Sequence, residues 1–139
     1  MQQGLLFFPC LALLLLTIVV LGAMLRGRRA AVRSGEISAA YFKTYDTGEK
    51  LPRKARQADR CYHNLMESTP AFYFVCAATM ALGKVDMLVL GLAWAYVASR
   101  ALHSFVHLTS NKIGLRSMSF AASWVLLLAI AFKLAYAVF

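Results

Sequence analysis

The stretch "RCYHNLMESTPAF", residues 60–72, sets Arg60, Asn64 and Glu67 at the head of a segment that then turns apolar. Their spacing, i, i+4 and i+7, places all three on one face of a helix at about 100° per residue. The stretch therefore reads as a helix that carries a polar stripe into a membrane span. Charges at that depth are costly unless they are paired or face a wet cavity.

The surroundings support a span. Of 139 residues, 60% are hydrophobic, and the mean hydropathy is +0.62; soluble domains run at about 45–50% apolar. Gly4–Leu25 carries no charge and is long enough to cross a hydrocarbon core of ~30 Å. Ser68–Gly83, Met87–Leu108 (broken by Arg100) and Ser117–Phe139 (broken by Lys133) are further candidates. The expected fold is an all-α integral membrane protein, a four-transmembrane-helix bundle forming one domain over residues 1–139. Spans are expected at about 5–25, 58–83, 86–109 and 115–138. The helices themselves should run from about Leu5 to Arg29, Arg53 to Gly83, Val85 to Thr109, and Leu115 to the end. Pro70 should kink the second. "RSGE", "DTGEK" and Pro52 mark turns in a long first loop, and "TSNKIG" marks the last turn. Met1-Gln2-Gln3 lacks the basic residues of a secretory leader, and no small-residue cleavage pattern follows, so a retained first helix is expected.

The net charge of +9 is unevenly placed. Ten of the fifteen Lys and Arg lie between Arg26 and Arg60, against Glu36, Asp46, Glu49 and Asp59. Basic loops stay cytoplasmic, which puts both termini outside. For a bacterial chain the location is the inner or plasma membrane. Anionic membrane lipids would help to hold these loops. No basic-aromatic module is visible, so nucleic acid is not an expected partner. Three cysteines cannot pair completely. Cys10, Cys61 and Cys76 are expected as free thiols; Cys61 follows Arg60, yet an inert small residue is the preferred reading.

Arg100, His103 and His107 (i, i+3, i+7) share a face of the third helix. With Arg26 closing the first helix and Arg116 opening the fourth, all four helices send ionisable groups to one layer. Glu67 pairing with Arg60 or Arg100 would merely tie the bundle. For the whole set, four arginines against one glutamate leave surplus guanidinium, which suits an anionic ligand. His103 and His107 could join Glu67 as a two-histidine, one-carboxylate metal set. Helix-packing histidines are the preferred reading, so no metal is expected.

The R-x-x-x-N-x-x-E pattern of Arg60, Asn64 and Glu67 followed by "TPAF", together with "RALHSFVHLTSNKIGLRSMSF" at residues 100–120, resembles the MAPEG family. These are membrane-associated proteins of eicosanoid and glutathione metabolism, and the resemblance covers nearly the whole chain. It implies a homotrimer of four-helix subunits that binds glutathione between neighbours near the cytoplasmic face. Arg26, Arg60, Asn64, Glu67, His103, Arg116 and Ser117 match glutathione-site positions. By that resemblance Glu67 takes the peptide's amino group, while Arg26, Arg60 and Asn64 take its carboxylate end or backbone. Arg116, with Ser117, matches the catalytic position where an arginine stabilises the thiolate. Arg100 and His107, from the polar layer, complete the expected cofactor-binding set. The chain departs from better-known members at His63 (an arginine in some), and at His107 and Phe120 (tyrosines).

The implied function is a glutathione-dependent membrane transferase or peroxidase acting on lipophilic electrophiles, with glutathione as cosubstrate. The rival is a non-catalytic trimer that binds an anionic lipid or a partner protein through its basic layer.

Overall fold

A computed structural model of the chain describes residues 3–45 and 47–138. Met1 and Gln2 of the leader argument, Asp46 of the "DTGEK" turn, and Phe139 lie outside the described residues. A 3-10 turn, Gln3–Leu6, leads into α1 (Phe7–Arg33). A single helical turn, α2 (Tyr41–Thr44), lies in the first loop. Three long helices follow: α3 (Arg53–Ala81), α4 (Met87–Leu108) and α5 (Ile113–Val138).

Several boundaries match expectation, and the differences have local causes. α1 continues four residues past Arg29, because Arg29, Ala30, Ala31 and Val32 offer no breaker before Ser34-Gly35. Gly35 and Gly48 adopt left-handed φ values of 75° and 77° in the two expected turns. α4 starts at Met87 because the Asp86 side chain accepts the Val89 amide at 2.9 Å, an N-cap. α3 is unbroken through Pro70.

α1, α4 and α5 are long and apolar enough to cross a membrane. α3 is not among them, since its first two turns carry Arg53, Lys54, Arg56, Asp59 and Arg60 and its apolar half is diluted by Asn64, Glu67, Ser68, Thr69 and Pro70. α1 buries one seam (Pro9, Leu13, Val20, Met24, Ala31). It leaves Phe7, Leu14, Ile18 and Val19 exposed, as α5 leaves Val125, Phe132 and Tyr136. Apolar faces of this kind suit lipid or a neighbouring helix.

α5 packs chiefly on α4, and α1 chiefly on α3; the α3–α4 seam joins the two pairs. Gly27 allows the α1–α3 approach, since a Cβ there would meet the Ala55 Cα at 3.2 Å. At the centre Phe72 stacks on Tyr96 with ring centroids 4.3 Å apart, among buried Leu13, Leu65, Ala93 and Ile130. Gln3 bonds to the backbone of Gly83 and Val85, and Lys133 pairs with Asp86 at 2.6 Å. The start of α1, the α3–α4 turn and the end of α5 therefore share one end of the bundle.

The long first loop packs at the other end. Ile37 and Leu51 are buried against Ala31 and Ala55, and the Glu49 carboxylate accepts bonds from Ser38 and Thr47. Arg28 forks onto Asp59 from beneath the Phe42 ring, whose centroid lies 5.0 Å from the guanidinium carbon.

Candidate functional site

The polar stripe that begins in residues 60–72 faces the polar stripe of α4. Arg60, His63, Asn64 and Glu67 from α3, His103 and His107 from α4, and Arg116 from α5 line one cleft of about 300 Å³. Helical periodicity explains each set, and the antiparallel α3–α4 pairing brings the two sets to the same level.

Arg100 lies behind Asn64 and does not itself line the cleft. Its side chain is fully buried, and one terminal nitrogen donates to the Asn64 Oδ1 at 2.9 Å and the Asn64 carbonyl at 3.2 Å. The guanidinium also lies 5.5 Å from the centroid of the Phe120 ring, a favourable cation–π contact. Its Nε and second terminal nitrogen have no partner among the described residues. Among the described residues Glu67 makes no ion pair, and it is exposed at the cleft. The tie between Glu67 and Arg60 or Arg100 is thus not the arrangement found; Asn64 takes Arg100 instead.

His103 and Arg116 are positioned by neighbouring backbone and turn. The His103 Nδ1 lies 2.9 Å from the Arg116 carbonyl. A carbonyl only accepts, so Nδ1 carries the proton, and Nε2 of the neutral ring is left as an acceptor. That Nε2 and the Nδ1 of His107 are buried without partners among the described residues. The His103 and His107 rings meet edge to face, 5.5 Å apart. Arg116 donates to the Asn111 Oδ1 at 2.7 Å. Asn111 can reach it because its backbone is left-handed, with φ of 49°, a conformation asparagine tolerates better than most residues.

With Arg100, three expected members lie outside the cleft lining. Arg26 is exposed and lines a different groove, with Glu36 and Lys54, between α1 and the start of α3. Ser117 is exposed, one position round α5 from Arg116, and does not line the cleft. The Cys61 thiol is buried and points at the Ser104 carbonyl, 3.9 Å away, in keeping with an inert small residue.

Three contributors escaped the sequence reading. Asn111 was legible only as part of the "TSNKIG" turn. Gln57 donates to the His107 carbonyl at 2.5 Å. Asp59 joins the cleft to the loop, accepting from Arg28 and lying 3.4 Å from His63. Asp59 comes one residue before Arg60, off the stripe's period, and no period separates it from an ordinary surface charge.

Chemically, the cleft presents one carboxylate that is unpaired among the described residues, two guanidinium groups, an amide and three imidazoles. Such a surface complements a small zwitterionic anion with one ammonium and more than one carboxylate. The family model described as MAPEG family matches residues 6–136. Comparison with curated proteins and comparison with solved structures each gave no match.

Proposed function

The chain belongs to the MAPEG family, and on that premise we propose that it is a glutathione-dependent membrane transferase, with peroxidase capacity, acting on lipophilic electrophiles. Membership implies membrane glutathione transferase or related activity in general. The observation that carries the finer reading is the convergence of Arg60, Asn64, Glu67, His103 and Arg116 on one cleft.

Glutathione carries two carboxylates, one ammonium and a thiol. Glu67 is the partner for the ammonium, and Arg60 with Asn64 for a carboxylate. Arg116 then faces the thiol. A free thiol has a pKa of about 8.5, so an adjacent cation is needed to populate the thiolate at neutral pH. The thiol proton leaves to water at the cleft mouth. In transfer to an aryl halide, the sulfur–carbon bond forms and the carbon–halogen bond breaks, releasing halide. In peroxide reduction, the thiolate attacks the hydroperoxide oxygen, giving an alcohol and glutathione sulfenic acid. A second glutathione converts the sulfenic acid to disulfide and water.

The reading extends to assembly and topology. α3 counts as a fourth span, with its polar stripe turned to a protein-lined site rather than to lipid. The unit is a homotrimer, and Arg26, which the single chain holds away from its own cleft, then faces the cleft of a neighbour. The basic loop lies in the cytoplasm and both termini outside.

The test is an assay of the full chain, purified in mild detergent, with glutathione and a generic aryl halide or hydroperoxide. Thiolate absorbance is followed across pH. The transferase reading predicts turnover and a bound thiolate at neutral pH. Binding of anionic lipid with neither signal would favour the non-catalytic trimer.

A further inference from the structure

The polar stripe of α3 does not stop at the cleft. Arg53, Arg56, Gln57 and Arg60 follow at i, i+3, i+4 and i+7 and share one face. With Asn111 of the α4–α5 turn and Arg116 they surround a second recess, of about 100 Å³. Four guanidinium groups line it and, among the described residues, no carboxylate does. Among the described residues none of the four is ion-paired. The recess opens beside the first turn of α3, which holds no acidic residue and where the helix dipole adds further positive potential.

Four cations brought together without a counter-charge repel one another, so an anion stabilises the arrangement. The size limits which anion. A water molecule's share of liquid volume is about 30 Å³, so the recess holds the equivalent of a few waters. That suits a tetrahedral oxyanion. Arginine forks match phosphoryl oxygens in geometry as well as charge, and Gln57 and Asn111 add amide groups.

We propose that this recess is a phosphate-binding subsite, distinct from the larger cleft and filled either by free phosphate or by the phosphate of a lipid headgroup. It shares Arg60, His107 and Arg116 with the larger cleft. Occupancy therefore draws the two arginines away and weakens glutathione binding; this last consequence, unlike the phosphate site itself, rests on the proposed function.

The test uses the full chain in detergent and phosphate-free buffer, titrated with inorganic phosphate by calorimetry. The variant is Arg53→Gln with Arg56→Gln, both exposed positions outside the larger cleft. Phosphate affinity should fall by about tenfold or more, with an unchanged unfolding temperature in phosphate-free buffer. Lysine at both positions should restore part of the binding. The lipid arm reconstitutes both proteins in phosphatidylcholine nanodiscs with and without phosphatidic acid. Phosphatidic acid retained by the wild type alone, seen by native mass spectrometry, assigns the site to a headgroup; a response to inorganic phosphate alone assigns it to free phosphate. Either upholds the subsite. Equal phosphate binding by both proteins, or no response to either probe, overturns it. Phosphate binding lost in the variant while glutathione binds neither protein upholds the subsite and removes the glutathione reading.

Discussion

Arg100 and Asn64 are joined twice: one guanidinium nitrogen reaches both the Asn64 side-chain oxygen and its backbone carbonyl, at 2.9 and 3.2 Å. Arg100 is fully buried, so Asn64 is its main compensation within the chain. Replacing Asn64 with Leu should destabilise the protein by on the order of 2 kcal/mol, because a buried charged donor loses its side-chain acceptor. Combining that change with Arg100→Met should restore part of the loss, since removing both partners leaves no orphaned charge. Thermal unfolding in one detergent, read as a double-mutant cycle, measures the coupling. Additive losses would mean that the pair is not coupled.

Glu67 is exposed at the cleft and makes no ion pair among the described residues. Glu67→Gln should leave the unfolding temperature unchanged and weaken glutathione binding by about 1–3 kcal/mol, because an amide cannot pair with an ammonium. Calorimetry reads the affinity. An equal affinity in the variant would remove Glu67 from the site.

Arg116→Leu should abolish the ultraviolet signal of bound thiolate while the protein stays folded. Arg116→Lys should recover part of it as a point charge without the planar fork. Asn111 acts through Arg116, holding the guanidinium at 2.7 Å. Asn111→Gly keeps the left-handed backbone but releases the tether, so it should shift the thiolate titration upward, less than Arg116→Leu does. A titration identical to wild type in Asn111→Gly would show that the tether does not position the charge.

Glu49 closes the first loop. The hydroxyls of Thr47 and Ser38, and then the Ser38 amide, hold its carboxyl below the usual carboxylate range. A depressed folded-state pKa stabilises the loop above the unfolded value of about 4.3, and the effect is lost as pH falls through the lower folded value. Protection of the Ser38 amide from hydrogen exchange should therefore weaken on acidification below that range. Glu49→Gln should remove this pH dependence.

Gly91, Ala95 and Ala98 lie exposed on one face of α4, whereas Ala93 is buried in the protomer core. Close helix approach at the three exposed positions fits a subunit contact. If the chain assembles as the proposed trimer through this face, Ala98→Trp should leave only smaller species by native mass spectrometry without unfolding the helices. A trimer that survives this change would place the contact on another face.

The apolar stretches, the turn glycines Gly35 and Gly48, and the one-sided stripes of α3 and α4 were all legible in the sequence, because periods and breaker residues are local properties. The start of α3 at Arg53 was legible for the same reason, as Pro52 ends the loop. Tertiary packing decided the partners. A period of 3.6 residues says which side chains share a face, but not how far each helix is rotated or shifted against its neighbour. That rotation gives Arg100 to Asn64 rather than Glu67, turns Ala93 inward, leaves Ser117 outside the cleft, and sends Arg26 to another groove. It also brings Asn111, five residues before Arg116 in the chain, round a left-handed turn to hold it. No helical period encodes that contact, because it is made across the turn and not along either helix.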